Sequence, residues 1–201
     1  MGNHIQLLQE TDYPWDGAVS ITLKEVPEKK PLSLFLRVPE WCTKATLAVN
    51  DVPVTTDLKA GTYAEIKRIW KKGDRVAFVM GMEPVLLESH PLVEETRNQV
   101  AVKRGPVVYC LESMDVEAGK RIDDILITAD IKFSPVKTEI AGSRVTVLDG
   151  IAHSVDSDSW EGKLYRKVAE NGDRIPIRLI PYYAWGNRGE SEMTVWMLLE
   201  R

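Results

Sequence analysis

Apolar and polar residues alternate along most of this chain, and a period of two predicts β-strands. The clearest run places Leu32, Leu34, Leu36 and Val38 on one face of a predicted strand. Further alternating runs occur at residues 47–49, 76–82, 100–102, 107–111 and 145–148. No segment shows the longer period of an extended amphipathic helix. The pattern therefore predicts an all-β chain.

Turn-forming residues separate the predicted strands. Asn50 and Asp51 suit a tight hairpin because both residue types tolerate a positive φ. Eleven prolines are spread along the sequence, and proline breaks helices because it lacks an N–H and clashes with the preceding turn. The one short helical or irregular turn is predicted at Ile122–Ile127.

The strand pattern is interrupted between Glu83 and Asn98, where Pro84, Pro91 and a Glu94-Glu95 pair occur. We place a domain boundary there. Residues 3–83 are predicted to form a first β-sandwich, 84–96 a linker and 97–201 a second β-sandwich. Each has the ordinary size of such a domain. The predicted fold is two consecutive, antiparallel, jelly-roll-like sandwiches.

The composition narrows the class of protein. Of the 201 residues, 44% are hydrophobic and 28% charged, with a net charge of −4, which is typical of a soluble globular protein. An acidic chain with scattered basic residues is not expected to bind nucleic acid. No stretch approaches the roughly 20 apolar residues of a membrane helix, and residues 1–11 lack a signal-peptide pattern. A soluble chain is therefore expected in an aqueous compartment, the cytoplasm or the periplasm.

The residue types that hold metals are dispersed. Cys42 and Cys110 lie far apart and flank no metal-binding spacing, so two reduced thiols are expected. His4, His90 and His153 are likewise isolated. No metal site is therefore predicted in this chain.

Aromatic residues cluster near both ends of the chain. Residues 13–17 read YPWDG and include Trp15, which can cover the end of a sandwich or dock onto a neighbouring domain. Residues 181–189 read PYYAWGNRG. There, Tyr182, Tyr183, Trp185 and Arg188 are the residue types of a sugar-binding platform, in which flat rings cover the sugar and polar groups bond its hydroxyls. The same aromatic residues also suit a core or an interface.

These two motifs, together with QVAVKRGPVVYCLE at residues 99–112, resemble the C-terminal part of bacterial glycoside hydrolases of family 127. The best-known activity of that family is β-L-arabinofuranosidase. The resemblance covers residues 3–199. It implies that catalysis in the parent enzyme depends on a zinc-bound cysteine nucleophile and a glutamate acid/base, carried by a helical barrel. The clustered cysteines of that pattern are missing here, so no catalytic residue can be transferred to this chain.

Three functions are compatible with these observations. The first is a non-catalytic accessory region that braces the helical barrel of the same parent chain and mediates homodimerisation. Its interface candidates are Trp15, Trp70 and Arg104, and at least one residue among Trp15, Trp70 and the Tyr182–Trp185 segment should be exposed. The second is a carbohydrate-binding module that uses the aromatic platform.

The third function is an independent enzyme with an unrecognised site. Glycoside hydrolysis generally needs two facing carboxylates. Candidate pairs are Asp156 with Asp158 and Glu190 with Glu192, but both pairs lie in polar, loop-like stretches. Neither pair shows the apolar surroundings that would raise the pKa of an acid.

Overall fold

The computed structural model describes residues 4–27, 29–155, 160–167 and 172–200. Its described part contains β-strands and short 3-10 turns, so the all-β prediction is confirmed. The turn predicted at Ile122–Ile127 is a 3-10 turn at Ile122–Asp124 that leads directly into a strand. The chain divides into two compact units, Met1–Glu83 and Pro84–Arg201.

In the part that the structure describes, the first unit is built from seven antiparallel strands. They are β1 (Gln6–Thr11), β2 (Ala18–Glu25), β3 (Pro31–Arg37), β4 (Ala45–Val49), β5 (Val52–Pro53), β6 (Tyr63–Ile69) and β7 (Arg75–Met80). Five of them form a sheet in the order β1-β2-β7-β4-β5, and β3 pairs with β6 in a second, two-stranded sheet. The apolar faces of the two sheets share one core, which includes Leu23, Val38, Val76 and Phe78.

The predicted alternation is confirmed in this unit. Leu32, Leu34 and Leu36 of β3 pack against the core, whereas Phe35 on the other face is 60% exposed. Asn50 and Asp51 adopt φ values of 52° and 64° between β4 and β5. Positive φ at both central residues is the geometry of a tight hairpin turn, for which Asn and Asp are suited.

Gly17, the last residue of the YPWDG motif, is required by a close backbone approach. Its carbonyl accepts a hydrogen bond of 3.0 Å from the Met80 N–H. A Cβ atom at Gly17 would lie only 1.9 Å from the Met80 carbonyl oxygen. The motif therefore fixes the point at which β2 begins to pair with β7.

The described residues of the second unit form nine strands. They are β8 (Pro84–Glu88), β9 (Gln99–Arg104), β10 (Val107–Glu112), β11 (Ile125–Thr128), β12 (Ser134–Ile140), β13 (Ser143–Ser154), β14 (Arg174–Pro181), β15 (Met193–Thr194) and β16 (Met197–Glu200).

Six of these strands close into a barrel in the order β10-β14-β13-β11-β16-β9. This corrects the expectation of two facing sheets in the second unit. Closure follows because β9 pairs both with β10 and with the final strand β16. It also corrects the antiparallel expectation at one place, since β16 runs parallel to β11. Closing the sheet satisfies strand edges that an open sandwich leaves unpaired.

The stretch 84–96, expected as a linker, begins with β8, which pairs with β9 through five residues. It ends in a 3-10 turn at Glu94–Thr96. The prolines and acidic pair that interrupt the sequence pattern thus lie around a short edge strand of the second unit, consistent with the tolerance of edge strands for proline.

Candidate functional site

The aromatic loop, defined here as residues 182–192, leaves the end of β14 and returns as β15. β14 pairs with β10 along one edge, and β15 pairs with β10 along the other. The loop begins with a 3-10 turn at Tyr182–Ala184. Both of its ends are therefore fixed beside the C-terminal end of β10.

Glu112, the last residue of β10, anchors this loop. Its side chain is fully buried, and its Oε1 accepts hydrogen bonds from the Gly186 N–H at 2.8 Å and the Ser191 hydroxyl at 3.0 Å. Its Oε2 accepts the Arg188 Nε–H at 3.0 Å. Burial by itself would raise the pKa of Glu112, but these hydrogen bonds outweigh it and the pKa is lowered. The buried carboxylate is thus held in its charged form.

Arg188 joins two carboxylates. Besides Glu112, its guanidinium binds Asp115, with Nη1 donating to Oδ1 at 3.0 Å and Nη2 bonded to both acids. Hydrogen bonds from Arg188 to Asp115 and Glu112 raise the pKa of the arginine. A buried charge is tolerated only when it is paired and hydrogen-bonded in this way. We call Glu112, Asp115 and Arg188 the anchor triad.

The aromatic side chains of the loop are not part of the anchor triad and are exposed to solvent. Tyr182, Tyr183 and Trp185 are 46%, 60% and 43% exposed, which confirms the prediction that at least one of the candidate aromatics is exposed. Arg188, in contrast, directs its guanidinium inward. The structure therefore brings the four predicted platform residues into one loop, but it places three at the surface and the fourth in the support beneath.

The other predicted interface residues lie elsewhere. Trp70 is buried in the core of the first unit, where its indole N–H donates to the Leu32 carbonyl at 2.9 Å. Trp15 is half-buried in the turn between β1 and β2. Arg104 is buried at the end of β9 and lies beside Tyr109, whose pKa it influences. In this conformation, Trp70 and Arg104 contribute little to the surface of their units.

A groove of about 690 Å³ lies alongside the anchor triad in the second unit. Strands β13 and β14 form its floor, and Asp115 lines its edge. On the floor, Arg178 binds Asp149 bidentately, through Nε at 2.7 Å and Nη2 at 2.8 Å. The hydrogen bonds raise the pKa of Arg178 and lower that of Asp149. We call this feature the β13–β14 groove.

The described residues offer no catalytic constellation. Glu190 and Glu192 are both exposed on the aromatic loop, and Asp156 and Asp158 lie outside the described residues. Cys42 and Cys110 are buried free thiols, as predicted. Within the described ranges, no group of three or more His, Cys, Asp or Glu side chains could hold a metal ion.

Sequence reasoning missed the anchor triad as a unit. Glu112 ends an apolar strand, but the alternation places it on the face opposite Tyr109 and Leu111, so the pattern does not predict its burial. Asp115, in the following turn, gave no signal either.

None of the helices in the described part of the chain is long and apolar enough to cross a membrane.

These observations define the class of the chain as an all-β protein of two compact units, one of which carries an anchored aromatic loop. Matches to family models identify both units. Residues 1–82 match the middle domain of β-L-arabinofuranosidases of glycoside hydrolase family 127, and residues 84–198 match the C-terminal domain of that family. The chain belongs to glycoside hydrolase family 127.

Individual relatives agree with this assignment. A solved glycoside hydrolase is 61% identical, with a TM-score of 0.91, over 98% of this chain and 32% of its own. A solved family 127 β-L-arabinofuranosidase from Geobacillus stearothermophilus T6 is 37% identical, with a TM-score of 0.88, over 99% of this chain and 31% of its own. The non-reducing end β-L-arabinofuranosidase of Bifidobacterium longum subsp. longum is 29% identical over 94% of this chain and 29% of its own. The chain thus spans about a third of the length of these relatives.

Proposed function

We propose that this chain is the non-catalytic accessory region of a β-L-arabinofuranosidase-like glycoside hydrolase and that it braces the helical catalytic barrel of the same parent protein. The observation that carries the proposal is the anchored aromatic loop. Three large aromatic side chains are held at the surface by a buried ionic network, and exposed aromatic clusters on soluble domains mark interaction sites. Membership in glycoside hydrolase family 127 supports the catalytic barrel as the partner that this loop contacts.

The anchor triad gives the loop the rigidity that a bracing contact needs. A flexible loop would lose conformational entropy on docking, which reduces the net affinity. Here the Gly186 N–H, the Arg188 guanidinium and the Ser191 hydroxyl all converge on one carboxylate of Glu112. The aromatic rings are thus presented in a conformation that is already fixed.

The zinc implied by the resemblance does not fit the residues of this chain. Zinc in a catalytic site takes several closely spaced His, Cys or carboxylate ligands. The two cysteines are buried in the interiors of their units, and the described residues offer no cluster of three ligands. We therefore assign zinc binding, like hydrolysis, to the catalytic barrel of the parent protein.

Homodimerisation through this region is part of the proposal, because an exposed aromatic surface can also contact a second copy of the chain. Sedimentation of the isolated chain at several concentrations tests this. A concentration-dependent dimer that Tyr183→Ala weakens is expected, whereas a monomer at all concentrations would remove dimerisation from the account.

A chimera tests the bracing role. The chain replaces its counterpart in the 61% identical glycoside hydrolase, and the thermal unfolding of the chimera and of the isolated chain is compared. Combined Tyr182→Ala, Tyr183→Ala and Trp185→Ala substitutions should lower the melting temperature of the chimera by several degrees and leave that of the isolated chain nearly unchanged. An interface contributes stability only where its partner is present.

The matched control is Tyr165→Ala, which removes another highly exposed aromatic side chain of the second unit. It should affect neither protein. Equal effects of the triple substitution on the chimera and on the isolated chain would show that the loop stabilises only its own unit, and the bracing role would be rejected.

A second candidate function is favoured by the same exposure of the aromatic loop. Tyr182, Tyr183 and Trp185 could stack on a sugar, although Arg188 is occupied by the anchor triad. Titration with arabinose-containing oligosaccharides, read by tryptophan fluorescence, separates the two functions. Quenching that Trp185→Ala abolishes supports a carbohydrate-binding loop, and unchanged fluorescence at millimolar sugar argues against it.

A further inference from the structure

The β13–β14 groove has the form of a small-molecule site that is independent of the bracing role. Its volume of about 690 Å³ lies within the range of about 300–1,000 Å³ that is usual for ligand sites. None of the three exposed aromatics of the aromatic loop lines it. It is therefore a second concave surface, with its own chemistry.

Fixed polar groups occupy the floor of this groove. Arg178 and Asp149 face each other as a cross-strand pair of β14 and β13, and their side chains remain 43% and 37% exposed. A guanidinium carries five N–H donors, and each carboxylate oxygen can accept more than one hydrogen bond. The pair uses Nε and Nη2, so Nη1 and the second lone pairs of Asp149 remain available. Donors and acceptors thus lie side by side in a fixed plane.

Apolar surface lies next to this pair. Ile151 on β13 is 45% exposed and Met114 is 42% exposed. Pro176, opposite Ile151 across the strand pair, is also exposed. All three line the groove. A ring-shaped ligand with hydroxyl groups at its edge and C–H groups on its face would match both the polar Arg178–Asp149 pair and this apolar surface.

The charges of the groove argue against ionic ligands. Arg178 is already neutralised by Asp149, and the remaining charged lining residues are Asp115, Glu117 and Lys132. The two carboxylates outnumber the one ammonium group, which disfavours an anion. Asp149 and Asp115 are each engaged by an arginine, and the described residues hold no cluster of three metal ligands, which disfavours a cation. A neutral, polyhydroxylated molecule meets no such penalty.

We propose that the β13–β14 groove binds a neutral carbohydrate, in which adjacent hydroxyls bond the Arg178–Asp149 pair while Ile151, Met114 and Pro176 cover the C–H face of the ring. The groove gives the accessory region a carbohydrate contact of its own. This contact does not require the bracing role, because every lining residue belongs to the second unit.

Nuclear magnetic resonance of the ¹⁵N-labelled chain tests the proposal, with L-arabinose and lactose as neutral probes and D-glucuronate as a charged probe. At millimolar concentrations, at least one neutral sugar should shift the backbone signals of Gly150 and Ile151 and the Nε–H signal of Arg178. Glucuronate should bind at least severalfold more weakly. Absence of shifts with both neutral sugars, or stronger binding of glucuronate, would overturn the proposal.

Variants assign the binding to the groove. Arg178→Ala should weaken the binding of the neutral sugar about tenfold or more, because it removes hydrogen bonds from a charged donor. Ile151→Asp, which leaves the ion pair intact, should weaken it as well. Arg97→Ala removes an exposed arginine of an ion pair outside the groove and should leave binding unchanged. Shifts confined to residues 182–185 and insensitive to both groove variants would place the sugar on the aromatic loop and refute the groove site.

Discussion

Glu112 is the residue on which the organisation of the second unit's surface depends. One buried carboxylate satisfies a backbone N–H, a hydroxyl and a guanidinium, and so converts eleven loop residues into a fixed structure. A buried charge of this kind adds less to stability than its contacts suggest, because desolvation opposes the attraction. Its main effect is on conformation. If Glu112 is neutralised, Arg188 keeps only Asp115 as a charged partner, and the contacts that hold the loop weaken.

Glu112→Gln should therefore destabilise the chain by about 2 kcal/mol, because a neutral amide weakens the charged hydrogen bond to Arg188 and turns its own N–H group towards a donor that the carboxylate accepts. Arg188 keeps its pairing with Asp115. Urea denaturation measures the loss. Glu94→Gln is the matched control: Glu94 pairs with Arg97 at 3.8 Å on the surface, and such exposed pairs contribute about 0.5 kcal/mol or less. Equal effects of the two substitutions would contradict the anchoring role of Glu112.

The same carboxyl group predicts a dependence on acid pH. Its pKa in the folded chain lies below the ordinary value of 4.5. Its contribution to stability is thus complete above that value and is lost as the pH falls through the folded pKa. Urea midpoints measured below pH 4.5 should decline more steeply for the natural chain than for Glu112→Gln. Parallel declines would show that other carboxyl groups govern acid unfolding.

At the scale of elements, β10 is the strand that links core and surface. Tyr109, Cys110, Leu111 and Glu112 are all fully buried. The strand pairs with β9, β14 and β15. The Tyr109 hydroxyl donates to the Thr146 carbonyl at 2.9 Å. Local apolar alternation predicted this strand and its hairpin with β9, because both depend on nearby residues.

Other elements could not be predicted in this way. Insertion of β16 between β9 and β11, which closes the barrel, joins residues about 70 to 100 positions apart. Nothing in the local pattern encodes such a pairing. Similarly, the ion pair of Arg188 with Asp115 spans 73 positions. The sequence therefore predicted strands, turns and exposed aromatics, but neither the closure of the second unit nor the support beneath the loop.

The burial of β10 predicts alkaline sensitivity. Burial raises the pKa of Cys110 from 9.0 to about 12 and that of Tyr109 from 10.0 to about 12. Both groups stabilise the folded chain fully below pH 9, and this contribution is lost as the pH rises towards 12. Cys110→Ala should reduce the decline in stability between pH 9 and 12, measured by urea denaturation, relative to the decline in a Cys42→Ala control. An unchanged slope would refute the assignment.

Gly17 gives a prediction for the pairing of β2 with β7. Gly17→Ala should destabilise the chain by about 2–3 kcal/mol, because the added Cβ would overlap the Met80 carbonyl and force the backbone to shift. Thermal unfolding provides the measurement. Gly81→Ala is the control, since its Cβ would lie 3.2 Å from the nearest atom, the Lys44 carbonyl oxygen, and a small adjustment suffices. A Gly17→Ala variant as stable as Gly81→Ala would contradict the close approach.

At the scale of the whole molecule, the chain combines the middle and C-terminal domains of family 127 with a surface suited to contacts. Its described residues contain no group of three or more His, Cys, Asp or Glu side chains that could hold a metal ion. What the structure offers instead is an aromatic loop fixed from below and a groove beside it. Both features suit the supporting role proposed above, in which bond cleavage is assigned to the catalytic barrel of the parent protein.

The most direct test of this account is a hydrolysis assay of the isolated chain on an aryl β-L-arabinofuranoside, with and without added zinc. The family 127 β-L-arabinofuranosidase from Geobacillus stearothermophilus T6 serves as the positive control. The account predicts release of the aryl group by that enzyme and no release above the buffer rate by the isolated chain under either condition. Turnover by the isolated chain, above all zinc-dependent turnover, would contradict it.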